Sequence, residues 1–192
     1  GLIQREAVEP YPFPREPGFL LDVALGRGAK VNWHAQGLWQ MGKELLGYLH
    51  HSHPVRHAVA TAAYSRLIAH ANNEHAPLIA AAGAQDLVGH EGYRYVFRTP
   101  EAFDQAAQRA EDLHTRFGVR FQAENSTQLA QAEPALRRPL AGAVHWLDTW
   151  AVNDPGALVQ RYADLFEARG GCLLTGDAAS LPVSYTHLTL PT

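Results

Sequence analysis

Residues 141–171 read AGAVHWLDTWAVNDPGALVQRYADLFEARGG, and the order of signals in this stretch decides the fold class. Residues 141–146 form a short apolar run of strand length, and 148–153 read as a polar and aromatic turn. Asn153, Asp154 and Pro155 then make a helix start: a side-chain cap followed by a proline whose fixed φ suits the first turn. Leu158, Tyr162, Leu165 and Phe166 recur at helical spacing, and Arg169 suits the negative end of the helix dipole. Gly170 and Gly171 stop the helix, and 172–175 returns to strand character. The unit therefore reads as strand, crossover helix, strand.

Working outward, 93–98 alternates as a strand does, and Thr99, Pro100 and Glu101 supply a cap, a first-turn proline and an early acid. Phe103, Ala106, Ala110, Leu113 and Phe117 mark one helical face, and Gly118 closes that helix before a short strand at 119–122. Residues 126–132 suit a small capped helix stopped by Pro134. Further upstream, Leu38, Met41, Leu45, Tyr48 and Leu49 form a helical stripe. A longer Ala-rich helix starts near Pro54 and runs to Gly83, with Pro77 kinking its last turns. The simplest arrangement is an antiparallel pair joined near Ser52. A proline-rich loop over 1–17 and two helical turns over 18–25 precede it. The class is α+β, with an α/β fragment around the crossover: a helical hairpin plus a mixed sheet.

Composition removes several kinds of function. A chain of 192 residues, 46% hydrophobic and 18% charged, can bury one sizeable core. Its 16 Lys and Arg are scattered with no basic stripe, which argues against a nucleic-acid partner. The single Cys172 excludes an internal disulfide framework and a multi-cysteine zinc site, and in a strand it reads as a small buried hydrophobe. No apolar run approaches membrane-spanning length. His50, His51, His53 and His57 form a metal-like cluster, and His53 and His57 share a face if both lie on the second helix. No carboxylate falls among them and a helix boundary divides them, so no metal is assigned. Glu74 and His75 lack the second histidine of H-E-x-x-H. Gly26-Arg27-Gly28 is not a dinucleotide fingerprint: Val31 holds the third glycine position and no strand precedes it. At the far end, VSYTHLTLPT at 183–192 breaks abruptly with the composition before it and resembles one reading frame of a sequencing adapter, so it is set aside as an artefactual tail.

AEPAL at 132–136, AGAVHW at 141–146 and NDPGALVQRYADLFEARGG at 153–171 resemble the middle of the FAD-dependent oxidoreductases of the D-amino-acid oxidase superfamily, in particular the bacterial D-amino-acid dehydrogenase type. Gly1-Leu2-Ile3-Gln4, the helical region 39–53 and GYRYVFRTPEAFDQAAQRAEDL from 92 are similar to successive parts of that family, so the resemblance spans 1–181. The order and spacing of these segments carry it; none is a catalytic motif.

The resemblance implies a two-part flavoprotein in which a dinucleotide-binding domain holds FAD and a second domain covers the flavin. Residues 1–36 would be a loop and short helix near the flavin, 37–152 the helical and β substrate-domain region, and 153–181 the crossover helix and strand returning to the FAD domain. The parent would be an enzyme passing a hydride from an amino acid or amine to flavin, then electrons to a quinone or oxygen. This stretch, truncated at both ends, would be inactive alone. Gly1, Leu2 and Ile3 match the family's loop beside the isoalloxazine, and Ala179 a position that contacts FAD near the adenine through its backbone. His145, Tyr93 and Tyr95 are candidates to line the substrate cavity, because they lie on strands of the covering sheet. The catalytic residues themselves would lie outside the chain. The implied location is cytoplasmic, or peripheral at the inner membrane. The competing reading is a non-catalytic helical binding module that uses the 38–82 hairpin as its recognition surface.

Overall fold

The computed structural model describes residues 1–25, 27 and 35–176. In chain order these are β1 (Leu2–Ile3), α1 (Pro17–Ala24), α2 (Ala35–His51), α3 (Pro54–Ile68), α4 (Ala71–Ala81), β2 (Val88–Gly89), β3 (Tyr93–Phe97), α5 (Pro100–Phe117), β4 (Phe121–Asn125), α6 (Ser126–Ala132), β5 (Gly142–Trp146), β6 (Trp150–Val152) and α7 (Pro155–Ala168). The class is α+β, as the sequence predicts, but the strands divide into two antiparallel sheets ordered β1-β6-β2 and β3-β5-β4.

That division corrects the reading of 141–175. β5 is the central strand of one sheet and β6 the central strand of the other, with three residues between them. The supposed turn thus contains a strand. No strand follows α7 among the described residues: 172–176 is irregular, Leu174 is 89% exposed and Cys172 is exposed rather than buried. A strand forms only against a partner edge, which these residues lack here. Among the described residues the motif is strand, strand, helix, with no strand returning after α7.

Helix ends follow local chemistry. The Thr99 side chain accepts from Ala102 N at 3.3 Å to open α5, and Gly118 closes it with φ 65°, a left-handed conformation that costs glycine nothing. Asp154 caps α7 through Ala157 N at 2.9 Å. Asn125 opens α6 in a capping box, accepting from Thr127 N and Gln128 N while the Gln128 side chain accepts from Asn125 N. The helix expected to run from Pro54 to Gly83 is instead divided at Ala69 and His70, ahead of Pro77, which sits inside α4. The break lets α4 bury Ile79 with Ile3, Val88, Val152 and Leu158 in the core below the first sheet.

A second cluster joins Val8, Leu113 and Val119, flanked by Ile68, Phe117 and Trp146, and fixes α5 against the second sheet. Val119, expected to open a strand, is spent in this cluster, so β4 begins only at Phe121. Among the described residues no helix is long and apolar enough to cross a membrane.

Candidate functional site

Register decides which side chains of the second sheet meet. Tyr93 lies opposite Trp146 and Tyr95 opposite Val144, while Arg94 pairs with His145. Side chains alternate between faces along a strand, so Tyr93, Tyr95 and Trp146 share one face and Arg94 and His145 share the other.

On the first face the 4–12 loop runs across the sheet and leaves a cavity of about 400 Å³, bordered by Glu6, Tyr11, His57, Tyr93, Tyr95 and Trp146, with Arg109 of α5 at its side. The Tyr93 and Tyr95 rings meet edge to face with centroids 6.3 Å apart. Burial pushes the Tyr93 phenol above its usual pKa, and the neighbouring Tyr95, Glu6 and Tyr11 add to the shift. Glu6 is only 9% exposed. Its carboxylate accepts from Gln4 Nε2 at 2.8 Å and from the hydroxyl of the fully buried Thr149. Glu9 is held differently: Arg109 and Arg116 both pair with it, and Asp112 pairs with the same two arginines. His57 Nε2 lies 2.7 Å from the Pro10 carbonyl and donates to it.

The opposite face holds a separate network. Arg94 is bidentate to Glu124 at 2.8 and 3.1 Å and reaches Glu133 at 3.2 Å; the Glu124 contact is the main reason the guanidinium pKa is raised. His145 is 8% exposed, donates from Nε2 to the Glu91 carbonyl at 2.8 Å, and sets Nδ1 3.4 Å from Glu124. Gly92 makes this fit possible. It has φ +80°, and a Cβ there would stand 2.5 Å from both His145 Nε2 and the Trp146 carbonyl. The structure thus brings Tyr93 and Tyr95 to one cavity and packs His145 on the far side of the sheet.

Gly1, Leu2 and Ile3 border a second groove of about 410 Å³, with Tyr64, His75 and Pro155. β1 is the outer strand of its sheet, paired through Gly1 and Val152, so its other backbone edge is free of strand partners among the described residues. Gln4 and Ala7 border both cavities, which therefore adjoin. The groove is largely apolar, lined by Leu2, Ile3, Ile68, Val152 and Leu158, a wall that suits one side of a flavin ring. The start of α7 offers a pyrophosphate no place: Pro155 packs on Gly1, and the Asp154 carboxylate already caps that helix. Ala179 and the 183–192 tail lie outside the described residues.

Reading residues in order misses Glu6, Gln4, Thr149 and Trp146 as partners. They come from a loop, a turn and a strand that only the tertiary fold assembles, and no spacing in the sequence links them. Among the described residues no group of three His, Cys, Asp or Glu side chains stands ready to hold a metal ion. His50 and His51 instead meet edge to face.

The model of the FAD dependent oxidoreductases, the DAO family, matches residues 22–185, most of the chain. The protein belongs to this family. Among solved structures, glycine oxidase from Geobacillus kaustophilus is similar over 57% of this chain at 22% identity, with a TM-score of 0.47. The chain spans only 30% of that oxidase's length. No curated protein matches.

Proposed function

We propose that this chain is part of an enzyme of the D-amino-acid dehydrogenase type, which oxidises amino acids or related amines, and that its residues cover the flavin and receive the substrate. The observation that carries this reading is the shared border of the two cavities: a groove bordered by Gly1–Ile3 meets the Tyr93–Tyr95 cavity at Gln4 and Ala7. Bound FAD supplies the chemistry, taking a hydride from the substrate carbon that bears the nitrogen. The chain's own contribution is placement. The rings of Tyr93, Tyr95 and Trp146 exclude water on one side of the substrate, and the β1 backbone positions the flavin edge on the other. A dinucleotide-binding region of the parent, lying outside the described residues, holds the FAD phosphates. The parent's electron acceptor would be a quinone or oxygen, and its place the cytoplasm or the inner membrane face.

The test is anaerobic mixing of the flavin-loaded parent enzyme with D-amino acids, their L-enantiomers and primary amines, while the oxidised flavin absorbance is followed. D-amino acids are expected to bleach the flavin fastest, and readmission of oxygen or a soluble quinone then identifies the acceptor. If a loaded enzyme bleaches with none of these compounds, the reading is wrong.

A further inference from the structure

The Tyr93–Tyr95 cavity carries an uncompensated negative charge. Of the carboxylates on its wall, Glu9 is neutralised within the quartet it forms with Arg109, Arg116 and Asp112, two acids matched by two bases. Glu6 is different. It is nine-tenths buried, its partners are the neutral Gln4 amide and Thr149 hydroxyl, and no described Lys, Arg or His forms an ion pair with it. His57 has its Nε2 hydrogen committed to the Pro10 carbonyl. A carboxylate has room for about four hydrogen bonds, and only two are taken here. A buried carboxylate facing no cation is costly, and a ligand cation placed beside it recovers that cost. The remaining wall suits the same kind of guest, since the π-faces of Tyr93, Tyr95, Tyr11 and Trp146 attract ammonium groups. At about 400 Å³ the space accepts a small organic molecule.

We infer that this cavity binds an organic ammonium ion, with Glu6 as its counter-charge and the tyrosine and tryptophan rings as its wall. Arg109, the cationic side chain at the cavity, is already engaged by Glu9 and Asp112, so it leaves the charge of Glu6 unanswered. The inference rests on taking this cavity as the place of the substrate.

Calorimetric titration of the full 192-residue chain tests it with three probes of one shape: benzylammonium, benzyl alcohol and benzoate. Benzylammonium should bind, and the neutral and anionic probes should not bind over the same concentrations. Glu6→Gln, which keeps the volume and removes the charge, should weaken benzylammonium roughly tenfold or more. Tyr95→Ser, at a ring that is 54% exposed, should weaken it about threefold with the thermal midpoint unchanged. Benzoate binding as tightly as benzylammonium would overturn the assignment. So would a folded Glu6→Gln chain of unchanged affinity, or no heat from benzylammonium at any concentration. Should Glu6→Gln fail to fold, the charge series and Tyr95→Ser decide the matter. No flavin is needed, so failure here removes the ammonium site alone, whereas an enzyme that binds ammonium but never reduces its flavin removes the oxidoreductase reading.

Discussion

At the scale of single residues, the most consequential side chains sit where burial and charge meet. Tyr93 is the clearest case that titrates. Its folded pKa is raised, first by burial and then by Tyr95, Glu6 and Tyr11, so the fold favours the neutral phenol. An unfolded tyrosine ionises near pH ~10. Stability linked to Tyr93 is therefore intact below that pH and is lost as pH rises through the folded value. Denaturant midpoints measured at about pH 9 and about pH 11 should show this loss, and Tyr93→Phe should reduce it. Tyr162, whose phenol is also raised by burial, retains a share. An equally steep loss in Tyr93→Phe would show that the shift contributes nothing to folding. On the other face of the sheet, His145 has the opposite character: it is fastened through Nε2 to the Glu91 carbonyl and walled in by the backbone of Gly92, so it holds a turn and does not face the cavity.

At the scale of elements, the helix ends show what a sequence states openly. Thr99 before α5, Gly118 after it and Asp154 before α7 act within a few residues of themselves, so the chemistry that fixes them is written locally. The capping box of α6 is the strongest such device, because Asn125 satisfies two backbone N–H groups and Gln128 returns the bond. Asn125→Ala should cost about 1 kcal/mol in chemical denaturation. Gln128→Ala, which leaves the Asn125 cap in place, should cost less; equal losses would mean the reciprocal bond matters as much as the cap. The strands were less legible for a physical reason. An apolar run announces a strand but not its partner, and whether 141–146 pairs in parallel across a helix or antiparallel between β3 and β4 depends on edges far away in the chain. The same non-locality hid half of the candidate site. Alternation put Tyr93 and Tyr95 on one face, but only the pairing of Tyr93 with Trp146 shows that His145 is on the other. Glu6, in an irregular loop, had no periodicity to betray it.

At the scale of the molecule, the two sheets have separate cores, and stability should be distributed accordingly. β5 is paired on both sides, with Ala143 and Val144 essentially without solvent exposure, and α5 and α6 pack on it. The helical pair α2–α3 is the opposite extreme. Leu46, Val59 and Leu67 stand about two-thirds exposed and Trp39 is 89% exposed. What anchors α2 lies at its C-terminal end. The Tyr48 hydroxyl donates to the Tyr11 carbonyl at 2.8 Å, and Arg15 reaches the Leu49 carbonyl at 2.7 Å. The buried Ser52 accepts from Phe13 N and donates to the Tyr48 carbonyl, each at 2.8 Å. Protection against amide exchange follows buried contact and falls where backbone hydrogen bonds face water. Exchange in α2 should therefore be fastest around Trp39–Met41 and slow toward Tyr48, while the amides of β5 outlast all of α2. Ser52→Ala removes one of the three bonds that tie the helix end to the 11–15 loop, the buried one, so it should speed exchange along α2 and leave β5 unchanged. If β5 loses protection in step with α2, the chain opens as one cooperative unit, and the exposure of α2 has no energetic meaning.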